Sequence, residues 1–168
     1  MIIIDNTVLT SLAHIEFLHL PSELFGDAKI PESVYDEGVK SAADSKRVKR
    51  IKAAIDEGYI QVTRCTENEK EIEKRYKKGL GAGESSCLAI AIERECLFGT
   101  DDLKARKSAK GKSVDVVGTL GILRVAFTED KINEQDLKKG VSSLKEILFF
   151  TEELEKWVLS ILDNQKKK

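Results

Sequence analysis

Five acidic residues stand in this sequence where carboxylates can do chemistry. Asp5 follows the apolar run Ile2-Ile3-Ile4, Glu84 follows Gly83, and the pair Asp101-Asp102 follows Cys96-Leu97-Phe98-Gly99-Thr100. Glu37 lies about two turns inside a short helix opened by Pro31. Carboxylates crowded together repel one another, and only protons or cations relieve the repulsion. An all-oxygen donor set suits hard divalent cations such as Mg2+ or Mn2+. Such a metal activates water and steadies the charge that builds on a phosphoryl oxygen. Taken together, the acids point to metal-assisted hydrolysis of a phosphodiester. Taken singly, each has a plainer use: Asp5, Asn6 or Thr7 as a helix N-cap, and Glu84 as a first-turn partner of a helix dipole.

The elements that must position these acids alternate between strand and helix patterns. Ile2–Ile4 reads as a strand covered on both faces, and the apolar positions Val8, Leu9, Leu12, Ala13, Ile15, Phe17, Leu18 and Leu20 predict a helix that Pro21 stops. A basic helix is expected from Ser41 to Gly58, and a strand from Tyr59 to Thr63. A charged helix from Thr66 to Lys78 and a helix from Ala82 to Glu95 follow. Strands at Cys96–Thr100 and Ser113–Val117 enclose a helix over Leu103–Ala109, and another helix opens at Gly118-Thr119-Leu120-Gly121. That last turn carries no acid and reads as a close helix–sheet approach whose N-terminus could receive a phosphate. Helices over Asn133–Gly140 and Val141–Leu162 complete the chain. The order implies βαβ units: an α/β fold in three α/β/α layers, with a short, mainly parallel sheet of roughly four strands. In such a sheet the strand ends and the first turns of the following helices meet at one edge.

Composition narrows the class. At 168 residues the expectation is one domain over 1–162, with core motifs in 1–127, a helical extension over 128–162 and a flexible basic tail over 163–168. Lys and Arg (28) nearly balance Asp and Glu (29), so a nucleic-acid surface must be a local patch. Lys104 and Arg106, next to the acids, are the first candidates for a phosphate backbone, ahead of the basic stretch Lys46–Lys52. Aromatic residues are only 6 % of the chain, which argues against a nucleic-acid readout built on base stacking. Cys65, Cys87 and Cys96 have neither disulfide nor zinc spacing, and His14 and His19 are not at i,i+4. Gly79–Glu84 follows a helix and misses G-x-G-x-x-G, so no dinucleotide cofactor is expected. With no membrane-length apolar run and no leader pattern before Asp5, a cytoplasmic protein without membrane attachment is expected.

Five segments carry a family resemblance: Ile-Ile-Ile-Asp-Asn-Thr at 2–7, Ile-Pro-Glu-Ser-Val-Tyr-Asp-Glu at 30–37, Gly-Ala-Gly-Glu-Ser-Ser-Cys-Leu-Ala-Ile-Ala at 81–91, Thr-Asp-Asp-Leu-Lys-Ala-Arg at 100–106 and Val-Gly-Thr-Leu-Gly-Ile-Leu at 117–123. In this order they resemble the PIN domain, and more narrowly its prokaryotic branch described as predicted nucleic-acid-binding proteins. The resemblance implies a Mg2+- or Mn2+-dependent endoribonuclease with Asp5, Glu84 and Asp101 as metal ligands and Glu37 completing the acid set. Asp102 stays beside Asp101, because many PIN nucleases read Thr-x-Asp in that motif; Asn6 and Thr100 are supporting residues. It further implies RNA as substrate, a small antitoxin protein as partner if the chain is a toxin, and a homodimer. The rival implication is a PIN-like module that binds nucleic acid or protein without cutting.

Overall fold

The computed structural model describes residues 1–40 and 45–165. The Ser41 start of the expected basic helix and the tail lysines 166–168 lie outside the described residues. Five parallel strands form one sheet in the order β3-β2-β1-β4-β5. They are β1 (Ile2–Ile4), β2 (Ala28–Pro31), β3 (Gln61–Thr63), β4 (Leu97–Gly99) and β5 (Val116–Val117). β1 is central, with Ile2 opposite Ala28 on one side and Leu97 on the other. All three of its isoleucines are fully buried, as a strand sandwiched between helices requires.

The fifth strand corrects the sequence reading. The sequence reading places no strand before the helix opened by Pro31, yet Ala28-Lys29-Ile30-Pro31 is β2, between β1 and β3. Pro31 disguises it. The proline stands at the last strand position, beyond the residues paired with β1, where its missing N–H costs that ladder nothing, and it is also the N-cap of α3 (Glu32–Tyr35). Pro21 is a second reversal. The first helix, α1 (Asn6–His14), ends early, Glu16 turns the chain at φ 67°, and Pro21 opens α2 (Leu20–Phe25) instead of closing a helix.

One face of the sheet is crossed by α6 (Ala82–Glu93), which packs over β1, β2 and β4 and is flanked by α5 (Glu67–Tyr76) and α7 (Leu103–Lys110). Residues Ser85–Ala91 of α6 are all buried, so this helix is wrapped on every side. The other layer gathers α1, α2, α4 (Lys46–Asp56), α8 (Thr119–Thr128) and α9 (Glu134–Leu144). A continuous last helix was expected from Val141 to Leu162; instead the chain breaks after α9 and resumes as α10 (Glu152–Leu159) and α11 (Ile161–Gln165). Val158 of α10 and Leu137, Val141 and Leu144 of α9 join the core. Among the described residues no helix is long and apolar enough to cross a membrane.

Candidate functional site

The sheet order reverses direction at β1. From β1 the chain steps outward through β2 to β3, then returns to the far side of β1 for β4 and β5. A crevice forms outside the carboxyl ends of the two strands at such a reversal. Asp5 leaves β1 there and Thr100-Asp101 leave β4. The first turn of α6 and the turn after α3 reach the same edge, since helices that connect parallel strands run back against them.

Asp5 is fully buried. It is the N-cap of α1: its Oδ1 accepts hydrogen bonds from the N–H of Thr7 at 2.9 Å, the hydroxyl of Thr7 at 2.6 Å and the N–H of Val8 at 3.0 Å. Oδ2 accepts none. Among the described residues the buried side-chain oxygens without a partner are this Oδ2 and Oδ1 of Asn6, on consecutive residues. Burial pushes the Asp5 carboxyl up to about 6; the hydroxyls of Thr100 and Thr7 and the Val8 N–H oppose the rise, and the Asp101 charge adds to it. Asn6 is held close by its neighbour in the π-helical turn Asp36–Lys40: a Cβ on Gly38 would stand 2.7 Å from Asn6 Oδ1.

Each of the other acids is also engaged. Asp101 accepts at Oδ1 from the Thr119 N–H (2.9 Å) and at Oδ2 from the Thr119 hydroxyl (2.5 Å), while its own N–H donates to the Thr7 hydroxyl (3.0 Å). Thr7 thereby ties the ends of β1 and β4 together. Asp102 turns the other way and N-caps α7, accepting from the Ala105 N–H at 2.8 Å; its N–H donates to Thr100 Oγ1. Glu37 lies exposed in the π-helical turn and accepts from the Gly83 N–H at 3.1 Å. Glu84 reaches back to the Gly81 N–H at 2.5 Å, so it performs the capping role of a first-turn acid. Cys87 lies buried in α6 with its thiol donating to Ile4 O; desolvation first, then the charges of Asp5, Cys65, Glu37 and Glu84, push that thiol well up.

Arg106 approaches the same edge. Its Nε donates to Thr100 O at 3.1 Å, and any Cβ on Gly118 would collide with its guanidinium and stand 2.5 Å from Asp101 Oδ1. Lys104 is exposed on α7. The expected phosphate seat at Gly118-Thr119 is corrected: the first turn of α8 is taken by the Asp101 carboxylate, an internal anion. Sequence reasoning missed Thr7, Thr119 and Cys87, the residues that hold or underlie the acids. Thr7 and Thr119 stood inside the quoted motifs, and their short hydroxyls beside strand ends were the available signal.

A hard cation fits the donor set: carboxylates, an amide oxygen, and one buried carboxylate oxygen left without any partner. Among the described residues no three histidine, cysteine or acidic side chains close around a single point. The reason is local, since Glu84 and Glu37 are drawn onto N–H groups of α6 and Asp101 onto Thr119.

The architecture is a three-layer α/β/α sandwich with acids gathered at the reversal of a parallel sheet, where ligands bind in such sheets. A family model for the PIN domain matches residues 1–162. The chain belongs to that family. No curated protein and no solved structure gives a significant match.

Proposed function

We propose that this chain is a divalent-metal-dependent endoribonuclease with Asp5 as the central metal ligand. The single observation that carries the reading is the unpartnered, buried Oδ2 of Asp5 at the sheet reversal, beside the equally unpartnered Asn6 Oδ1. A buried carboxylate oxygen without a donor is costly and calls for a cation. Asp5, Glu84 and Asp101 would hold Mg2+ or Mn2+, with Glu37 at the edge of the set. When bound, the metal supplies Lewis-acid activation of water and of the phosphoryl oxygen. The chain's own residues do the rest. Thr7 and the α1 N–H groups fix Oδ1 of Asp5 so that Oδ2 stays directed away from the helix. Thr119 fixes Asp101, while Thr100 holds the Asp102 N–H with its hydroxyl and the Arg106 guanidinium with its carbonyl. Arg106 and Lys104 supply positive charge for the phosphates on either side of the cut.

The test is cleavage of a mixed RNA pool with Mn2+, Mg2+ or chelator, wild type beside Asp5→Asn, with melting curves under the same conditions. Metal-dependent cutting that Asp5→Asn abolishes, together with a metal-induced rise in melting temperature absent from the variant, is expected. Equal activity in both proteins, or RNA binding without cutting under either metal, would replace this reading with the binding-module one.

A further inference from the structure

A cleft of about 470 Å3 opens beside the acidic edge, lined by Asp101, Arg106, Leu103, Phe149, Leu154 and Trp157 among others. Its apolar lining is not sealed core: Phe149 is 95 % exposed, Leu103 80 % and Trp157 46 %. Large apolar side chains held in water around one concavity mark a contact surface. The Trp157 ring is also locked, with the Arg124 guanidinium 4.8 Å from its centre and donating to the Trp157 carbonyl. A rigid aromatic wall costs little entropy when a ligand stacks on it.

We infer that this cleft is a subsite for one unpaired nucleobase of the RNA strand whose neighbouring phosphate lies at the acidic edge. The inference rests on the nuclease reading and adds to it a base-binding subsite beside the cut. Two observations choose a nucleotide over an apolar protein segment. The cleft is continuous with the site through Asp101, and it carries Arg106 as well. An aliphatic plug would desolvate both charges and repay neither, whereas a nucleotide brings a π-face for the rings and a phosphate for the guanidinium. The α10 acids Glu152 and Glu155 line the neighbouring groove with Lys145 instead. A base paired in a duplex cannot enter, since it must first leave its stack. The aromatic shortage read from composition is thus met by residues that the break between α9 and α10 brings beside β5 and α7.

Trp157 is the only tryptophan in the sequence, so its fluorescence reports on this cleft. The probe is an unstructured oligoribonucleotide, titrated in Mg2+ into the Asp5→Asn protein so that binding is read without cleavage. Saturable quenching by the strand, none by the same sequence as a blunt duplex, and affinity on the order of tenfold weaker on adding Phe149→Ala are expected. Phe149 is too exposed for its loss to unfold the chain, and melting curves verify this. Equal response to strand and duplex, or unchanged affinity with Phe149→Ala, overturns the subsite. So does a concentration-dependent dimer that Phe149→Ala dissolves while RNA leaves the fluorescence untouched, which would assign the face to a second copy. Quenching in the expected pattern, with no cleavage by wild type under any metal, keeps the subsite and removes the enzyme.

Discussion

Glu69 and Asp5 are both completely withdrawn from solvent, and the chain treats them in opposite ways. Glu69 sits in the first turn of α5 and is fully matched. Arg94 Nε donates to its Oε1 at 2.6 Å and Arg94 Nη2 to its Oε2 at 2.9 Å, and the Thr66 N–H adds a third bond at 2.7 Å within a complete capping box. Burial raises its carboxyl, but the Arg94 and Thr66 bonds outweigh that and hold it below the usual range. Asp5 has half of such a set: one oxygen saturated, one bare, and a carboxyl pushed up to about 6. Burial alone therefore does not mark function. What distinguishes the candidate ligand from the structural acid is the missing partner on one oxygen.

The strongest way to break this contrast is to take away the partner of Glu69. Arg94→Ala should destabilise the protein by roughly 3–5 kcal/mol in urea unfolding, because it strands a buried charge. A loss under about 1 kcal/mol would mean that the pair is no more than a surface bridge. The next effect has the opposite sign. The folded-state carboxyl of Asp5 is raised from 3.8 to about 6, so the native state holds the extra proton between those values and stability falls as pH rises through that window. In chelator, Asp5→Asn should therefore match wild type near pH 4 and exceed it by about 3 kcal/mol above pH 6–7, a two-unit shift in energy terms. A gain of the same size at every pH would show that packing, not ionisation, separates the two proteins. The smallest effect belongs to Asp102, whose side chain caps α7. Asp102→Ala should lower stability by about 1 kcal/mol through loss of the Ala105 N–H bond, measurable as a small drop in melting temperature.

Much of this was readable before any coordinates. Ile2–Ile4 announces a doubly covered strand because nothing but apolar, β-branched residues occurs in it, and the acid after it follows at once. The alternation of strands and helices leads Asp5, Glu84 and the Asp101-Asp102 pair toward one edge, whereas Glu37 follows a strand the sequence does not announce. What stayed hidden depends on contacts between distant segments. Nothing in the sequence near Glu37 says that it will reach the Gly83 N–H, or near Thr119 that it will receive Asp101. β2 was lost for a different reason: three of its four positions are Ala, Lys and Pro, poor strand formers that adopt the extended state because β1 and β3 lie on either side. Phe149 and Trp157 fall within the single helix expected over Val141–Leu162, but the break before α10 leaves Phe149 in water.

The central place of β1 also sets the timing of folding during synthesis. Its partner on one side, β2, begins at residue 28, but on the other side Ile2–Ile4 must wait for residues 97–99. At about 5–20 residues per second that interval is roughly 5–20 s. Throughout it one edge of a three-isoleucine strand has no mate, the arrangement most prone to pairing with a neighbouring chain. The strand that delivers Asp5 is thus the edge left open longest while the polypeptide is being made.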